Sequence, residues 1–294
     1  MTARPLTIGL LQWQVGHGGL DRWADRLERE VAFAASQGAR LLVMSEYAGL
    51  EPGLGEAPDV AGELARGVAA APAALAVARA VAQRHGVWLL PGTMPFAEGG
   101  RVVNRAPLAA PDGRIAFQDK HVMTRFEAEE WGVSPGAAPC VFATDFGRIG
   151  IAICFDVEFP ALVRAQVAAQ VAAGAWLVLA PACTDTPHGF SRVRIAARAR
   201  AMENQCFVAV APTVGEAPWC GALDSNHGHA AVFGPVDRGF SEDGIMAQGV
   251  TNAAQWVFTH LDPARLEAVR RDGAVRNHLS WPADPHRCAA AVFG

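Results

Sequence analysis

Three residues of this chain combine reactive side chains with placement at strand ends. Cys154 closes the apolar run Gly150-Ile151-Ala152-Ile153-Cys154, and Phe155-Asp156 follow where the chain must turn. Glu46 comes shortly after Leu41-Leu42-Val43-Met44, and Lys120 shortly after Ile115-Ala116-Phe117. Taken singly, a Cys in an apolar run is ordinarily a small core residue, a Glu after a strand a cap or ion-pair partner, and a Lys there a solvated group. Their joint placement points to one site, because α/β sheets bind ligands at the carboxyl ends of their strands. A thiol nucleophile needs a base for its proton and donors for the oxyanion it creates. A buried carboxylate suits the first task, since burial raises its pKa. The ammonium suits the second, with a backbone N–H such as that of Phe155 beside it. Attack would give a thioester or thioimidate, which water activated by the same carboxylate would release.

The elements that must position these groups alternate along the chain. Leu6–Leu11 and Leu41–Met44 read as strands. Asp21–Gln37 reads as an amphipathic helix with Trp23, Leu27, Val31 and Ala34 on one stripe and Gly38 as its stop. Residues 62–85 are Ala-rich and helical, with a break expected near Pro72. A strand over 87–94 precedes a hairpin of 102–108 and 114–119 around Pro111-Asp112-Gly113. Strand 148–154 leads to a helix over 160–173, opened by proline and closed by Gly174. A strand over 176–181 and a helix over 190–205 follow. Strands are then expected at 206–212, 230–233, 244–250 and 256–261, and a helix at 263–271. No linker or repeat divides the chain, so one layered α/β domain over 1–271 is expected, with helices outside. The many late strands argue against a pure Rossmann fold or TIM barrel. The polar tail 272–294 is a candidate arm for contacts between copies.

The bulk properties narrow the function classes. The chain has 294 residues, 51% apolar and 18% charged, with a net charge of −4. A sizeable core can therefore be buried, and neither a nucleic-acid surface nor a polybasic membrane patch is expected. No apolar stretch approaches the roughly 18 residues of a membrane span, and no signal-peptide pattern opens the chain. The expectation is a cytoplasmic protein acting on a small molecule. The six cysteines show no C-x-x-C spacing, so neither a disulfide framework nor a zinc cluster is expected. His227-x-His229 beside Asp224 has a metal-like spacing but no further ligands nearby. No metal and no organic cofactor are expected.

Around the three reactive residues the sequence resembles the nitrilase superfamily of carbon–nitrogen hydrolases. Five blocks carry the resemblance, in order. They are Leu42-Val43-Met44-Ser45-Glu46-Tyr47; Lys120-His121-Val122-Met123-Thr124-Arg125-Phe126-Glu127 with Trp131 and Pro135-Gly136; Gly150 to Pro160 around Cys154; Ala199 to Gln205; and Gly228 to Pro235. The resemblance covers nearly the whole chain. It implies a four-layer α-β-β-α sandwich and a catalytic set of Glu46, Lys120 and Cys154. It also implies a second glutamate seven residues after the lysine, Glu127, which would hold Lys120 and assist substrate placement and proton transfer. Glu129 and Glu130 fall outside the motif and read as surface carboxylates. Ser45 stands where many members have proline, and Ala161 where many have glutamate. Family members usually associate, so a homodimer or larger assembly is expected.

The resemblance also bears on the reaction. Nitrilases proper typically carry Trp-Glu after the cysteine. Phe155-Asp156 here is similar to the amidase and carbamoylase branches. The expected activity is therefore hydrolysis of a small linear amide or carbamoyl compound through a thioester, releasing ammonia or amine. The alternatives are a nitrilase or an N-acyltransferase using the same site, and a non-catalytic binding protein that keeps the fold. On the substrate side, Tyr47, Trp131 and Phe155 are candidate pocket walls, and His188 lies in a loop that would face the pocket. Arg192, among Arg192, Arg194, Arg198 and Arg200, is a candidate clamp for a substrate carboxylate. The competing reading is a solvated helical face with a local Arg200–Glu203 pair. His121 should point away from Lys120's side of an extended segment.

Overall fold

Alternate residues of the first strands are buried in two different cores, and that alternation builds the layers. In β1 (Leu6–Gln14), Leu6, Ile8 and Leu10 join one cluster and Leu11 and Trp13 another. β2 (Leu41–Val43) divides Leu41 and Val43 from Leu42, and β3 (Trp88–Leu90) divides Trp88 and Leu90 from Leu89. A strand covered on both faces must lie between two other layers. A computed structural model of the chain describes residues 3–55, 59–168 and 174–282.

The first sheet sets β1, β2 and β3 in parallel. β5 (Arg101–Ala109) extends it antiparallel, flanked by β4 (Met94–Glu98) and β6 (Ile115–Asp119), and β14 (Gln255–Leu261) closes the other side against β1. The second sheet runs β7 (Val141–Thr144), β8 (Gly147–Ile151), β9 (Leu177–Ala182), β10 (Phe207–Glu216), β12 (Ala231–Phe233) and β13 (Ile245–Gln248). The short β11 (Ser225–Asn226) pairs with the far end of β10. The sheets meet where the end of β1 pairs with β10, Trp13 with Thr213 and Gln14 with Val214. Leu6, Ile8 and Leu10 share one buried cluster with Ile149, Leu177 and Leu179 of the second sheet.

Helices cover both outer faces. α1 (Leu20–Ser36) buries Trp23, Leu27, Val31 and Ala34, the stripe read from the sequence, in the cluster that holds Leu42 and Leu89. α2 (Val60–His85) adds Ala71, Ala74 and Ala78 to it. α3 (Pro160–Val167) and α4 (Pro187–Asn204) lay Val163, Val193 and Ala197 on the second sheet. The result is the expected four-layer α-β-β-α sandwich. α5 (Pro263–Asp272), capped by Asp262, follows β14.

Several boundaries differ from expectation for identifiable reasons. α2 runs unbroken through Pro72, held by an Asp59 side-chain cap at its start and the left-handed Gly86 at its end. It is also the one helix among the described residues long and apolar enough by composition to cross a membrane, an outcome the sequence reading did not anticipate. The expected strand over 87–94 splits at Gly92. That residue has φ +94°, and a Cβ there would sit 2.6 Å from Ser45 O and from the Ala48 side chain. β7 was not foreseen. α3 ends at Val167 because the Gln166 carbonyl accepts from Ala175 N at 2.8 Å; residues 169–173 of the expected helix lie outside the described residues. α4 starts at Pro187, before Phe190, because Thr186 caps Gly189 N at 3.2 Å. Of the tail, residues up to 282 follow the second helical layer. Gln205 exchanges hydrogen bonds with Val275 O and His278 N, both at 3.1 Å, and Arg164 stacks on Trp281. Residues 283–294 of the candidate arm lie outside the described residues.

Proline in a helix interior removes one backbone bond and crowds the carbonyl four residues back, here that of Val68, at a cost near 3 kcal/mol against alanine, while stiffening the unfolded chain by less than 1 kcal/mol. The Pro72 ring is itself exposed, so its own side chain recovers none of this by packing, and the helix is held by its neighbours Ala71, Ala74 and Ala78. Pro72→Ala should stabilise the fold by about 2 kcal/mol in urea unfolding; an unchanged or lower midpoint would contradict it.

Candidate active site

Each reactive side chain leaves a strand end at a constrained bend. After β2, the Ser45 carbonyl accepts from Thr93 N, and Tyr47 N donates to Thr93 Oγ1 at 2.9 Å. Tyr47 itself is left-handed, with φ +58°. This bend turns Glu46 into the interior, where it is 1% exposed. After β6, Lys120 N donates to Asn104 O at 2.8 Å. After β8, Cys154 opens a tight helical turn, Cys154–Glu158, with φ +47°. Non-glycine residues in this region cost on the order of 1–3 kcal/mol and persist where the surroundings impose them. Two residues later in the same turn, the Asp156 carboxylate accepts from His121 N and Val122 N, the latter at 2.8 Å. It thereby ties the lysine loop of one sheet to the cysteine turn of the other.

Glu127 sits in a single wide helical turn, Phe126–Trp131, a form that often marks functional sites. The structure brings all four expected catalytic residues together. Lys120 Nζ donates to Glu46 Oε1 at 2.8 Å and to Glu127 Oε2 at 2.6 Å. All three groups are buried. The Cys154 thiol is within hydrogen-bonding reach of Glu46 and lies 3.5 Å from the Cys183 carbonyl oxygen.

The two carboxylates are unequal. Glu127 also accepts from Tyr47 Oη at 2.7 Å, from Thr124 N and Oγ1 both at 2.9 Å, and from Asn104 Nδ2 at 3.3 Å. Among the described residues Glu46 has only Asn104 Nδ2, at 2.9 Å, besides Lys120 and the thiol. Burial pushes Glu127 up, but Lys120 and these donors outweigh it and hold its pKa below the ordinary value. For Glu46 burial wins over Lys120, and its pKa rises to about 7. Burial alone would lower Lys120, but Glu46, Glu127 and the thiol hold it well above its ordinary value. Burial and then the Glu46 charge raise the Cys154 thiol. The resting site therefore contains an ammonium, a firmly ionised Glu127, a thiol and a carboxyl group poised to exchange a proton near neutrality.

These residues form the floor of a cavity of about 820 Å³. Tyr47, Trp131 and Phe155 line it, as the sequence reading placed them. One wall, residues 221–225, hangs from α2, where Glu63 accepts from Gly221 N at 2.7 Å and Ala222 N at 3.0 Å. Arg192 lines the mouth, 3.5 Å from Glu158. His188 does not line it. The loop expected around it is already the first turn of α4, where it is exposed and Gly189 faces the cavity instead. Arg200 pairs locally with Glu203 at 2.9 Å. His227 and His229 flank the Phe190 ring and bond to Asn252 and Thr251. Sequence reading missed Asn104, Thr124, Asp156 as a tether, and Glu63. Asn104 left a signal as an amide inside an apolar strand, and Thr124 as a hydroxyl three residues before Glu127.

Comparison with known proteins places the chain in one family. The carbon–nitrogen hydrolase family model matches residues 8–278. The probable hydrolase YhcX of Bacillus subtilis is 36% identical over 196 residues, which are 67% of this chain but only 37% of that protein. The omega-amidase NIT2 of Danio rerio is 27% identical over 248 residues, 76% of this chain and 81% of its own. An amidase structure from Nesterenkonia sp. superposes with a TM-score of 0.73 at 25% identity, covering 92% of this chain and 96% of that one. A variant of that amidase carries acrylamide, added by Michael addition, on its active-site cysteine. A carbon–nitrogen hydrolase from Helicobacter pylori G27, 20% identical with a TM-score of 0.76 over 92% of this chain and 93% of its own, shares the fold.

Tyr47→Phe removes one donor from a buried carboxylate without changing its shape. It should cost about 1–3 kcal/mol in urea unfolding; a cost within error of zero would show that Glu127 does not depend on the phenol.

Proposed function

The chain belongs to the carbon–nitrogen hydrolase family, and we propose that it is a cysteine-dependent amidohydrolase that cleaves a small linear amide or carbamoyl compound through a thioester. The observation that carries this reading is the unequal carboxylate pair around one ammonium beside a thiol. Glu46, with its pKa near 7, takes the Cys154 proton as Sγ attacks the carbonyl carbon. The carbonyl π pair moves onto oxygen, where Lys120 and the backbone N–H of Phe155 face the new charge. The C–N bond then breaks, and the leaving nitrogen collects the proton from Glu46. Water gives a proton to the same carboxylate, attacks the thioester and frees the acid and the thiol. Glu127 stays ionised throughout and keeps Lys120 charged and aimed. Phe155-Asp156 after the nucleophile, and amidases among the relatives, favour amides over nitriles.

Cys154→Ala should fold and lose about 10³-fold or more in kcat, and Glu46→Gln about 10²- to 10⁴-fold. Ammonia release from a panel of small amides, with intact mass for a trapped adduct, reads both. Undiminished turnover by Cys154→Ala would remove the mechanism. For the pH dependence, the base must be unprotonated, so kcat/KM should fall about tenfold per unit below pH 7 as Glu46 takes up its proton. A profile flat down to pH 5 would exclude Glu46 as the base.

A further inference from the structure

If the cavity hydrolyses amides, as proposed above, its outer wall bears on what else the substrate carries. Beyond the catalytic set, the charged lining residues are the acids Glu130, Glu158, Asp185 and Asp224 and the bases Arg125 and Arg192. Both guanidinium groups are already engaged. Arg125 is held by Glu129 through two hydrogen bonds of 3.0 Å, and Arg192 lies 3.5 Å from Glu158. Carboxylate charge is left over on three separate segments. Glu130 belongs to the turn that carries Glu127, Asp185 precedes α4, and Asp224 belongs to the wall suspended from Glu63. Asp185 accepts from the Thr186 hydroxyl at 3.2 Å, which leaves its charge uncancelled. Among the described residues, neither Asp185 nor Asp224 has an ion-pair partner.

A substrate ending in a carboxylate would have to draw an arginine away from its partner and approach this excess of like charge. A substrate ending in a cation meets Asp185 and Asp224, which lack an ion-pair partner, and Glu130, which only shares the field of Arg125, inside a concave surface that focuses their charge. We propose that the natural substrate is a linear amide or carbamoyl compound whose far end carries an ammonium group, received by Asp185, Asp224 and Glu130. On this proposal Arg192 restrains Glu158 at the mouth in place of the substrate-carboxylate clamp expected from the sequence. Exposed pairs are individually weak, so three carboxylates should give a preference of about tenfold, eroded by salt.

The test uses the purified 294-residue chain and linear primary amides of increasing chain length in three matched sets, ending in ammonium, methyl or carboxylate. Ammonia release is followed with Cys154→Ala as control. At the best length, kcat/KM should run ammonium over methyl by about tenfold and methyl over carboxylate, and the first ratio should shrink as salt rises. Asp185→Asn and Asp224→Asn should each lower the ammonium-to-methyl ratio, chiefly through KM; a merely structural lesion would lower both substrates together. Cys154-dependent turnover with equal or better use of the carboxylate set would overturn the cation proposal and leave the amidohydrolase reading intact. No Cys154-dependent release from any set would overturn both.

Discussion

One buried ammonium shared by two buried carboxylates is the constraint on which the rest depends. Lys120, Glu46 and Glu127 together carry more negative charge than positive when fully ionised, in surroundings that solvate neither well. Such a triad persists only when the hydrogen bonds around it are plentiful and well aimed. The donors are distributed so that the surplus falls on a chosen atom. Glu127 collects a phenol, a hydroxyl and a backbone N–H, while Glu46 shares one amide and faces the thiol. Removing Lys120 would leave two carboxylates without a counter-ion, so its loss would be felt in folding as well as in chemistry. The reactive state of Cys154 is thus set through Glu46, by donors around Glu127 and Lys120 that lie beyond the thiol's own contact.

The sandwich is what allows these groups to converge. Glu46 and Lys120 end strands of the first sheet and Cys154 a strand of the second. The distance between base and nucleophile is therefore a distance between sheets. Two features hold it: the β1–β10 pairing at the sheet junction, and the Asp156 carboxylate gripping the backbone after Lys120. The left-handed backbone of Tyr47 and of Cys154 shows how sharply each strand must turn to deliver its side chain. Tight packing of Ile8, Leu10, Leu177 and Leu179 between the sheets makes that separation stiff.

Much of this was legible in the sequence, for physical reasons that also explain what was not. Strand ends announce themselves by where apolar runs stop, and the α1 stripe appears in the buried set residue for residue. The four catalytic residues stood in ordered motifs. Side-chain direction was less legible. His188 and Arg192 are near neighbours in sequence, yet only Arg192 lines the cavity, because α4 begins earlier than its apolar pattern suggests. The helical continuity through Pro72 was hidden because tertiary packing of the alanine face overrides one local penalty. Asn104 and Glu63 act on partners distant in the chain, which no local spacing records, whereas Thr124 serves Glu127 from three residues upstream.

The wall at residues 221–225 is attached differently from the floor. The floor is set by strand ends buried in two sheets, while the wall is held largely through its backbone: Gly221 N and Ala222 N donate to Glu63 of α2, the Asp224 carbonyl accepts from Ala217 N, and Ser225 pairs with β10. Backbone amides are common to nearly every residue type, so the attachment is indifferent to which side chains the wall displays. This separates inheritance into two parts: a reaction centre fixed by its side chains, and a lining whose exposed side chains can change while Glu63, the β10 pairing and the buried Leu223 hold its backbone. A lineage built this way can exchange one substrate for another by altering a few loop positions, without ever passing through a form that has lost its chemistry.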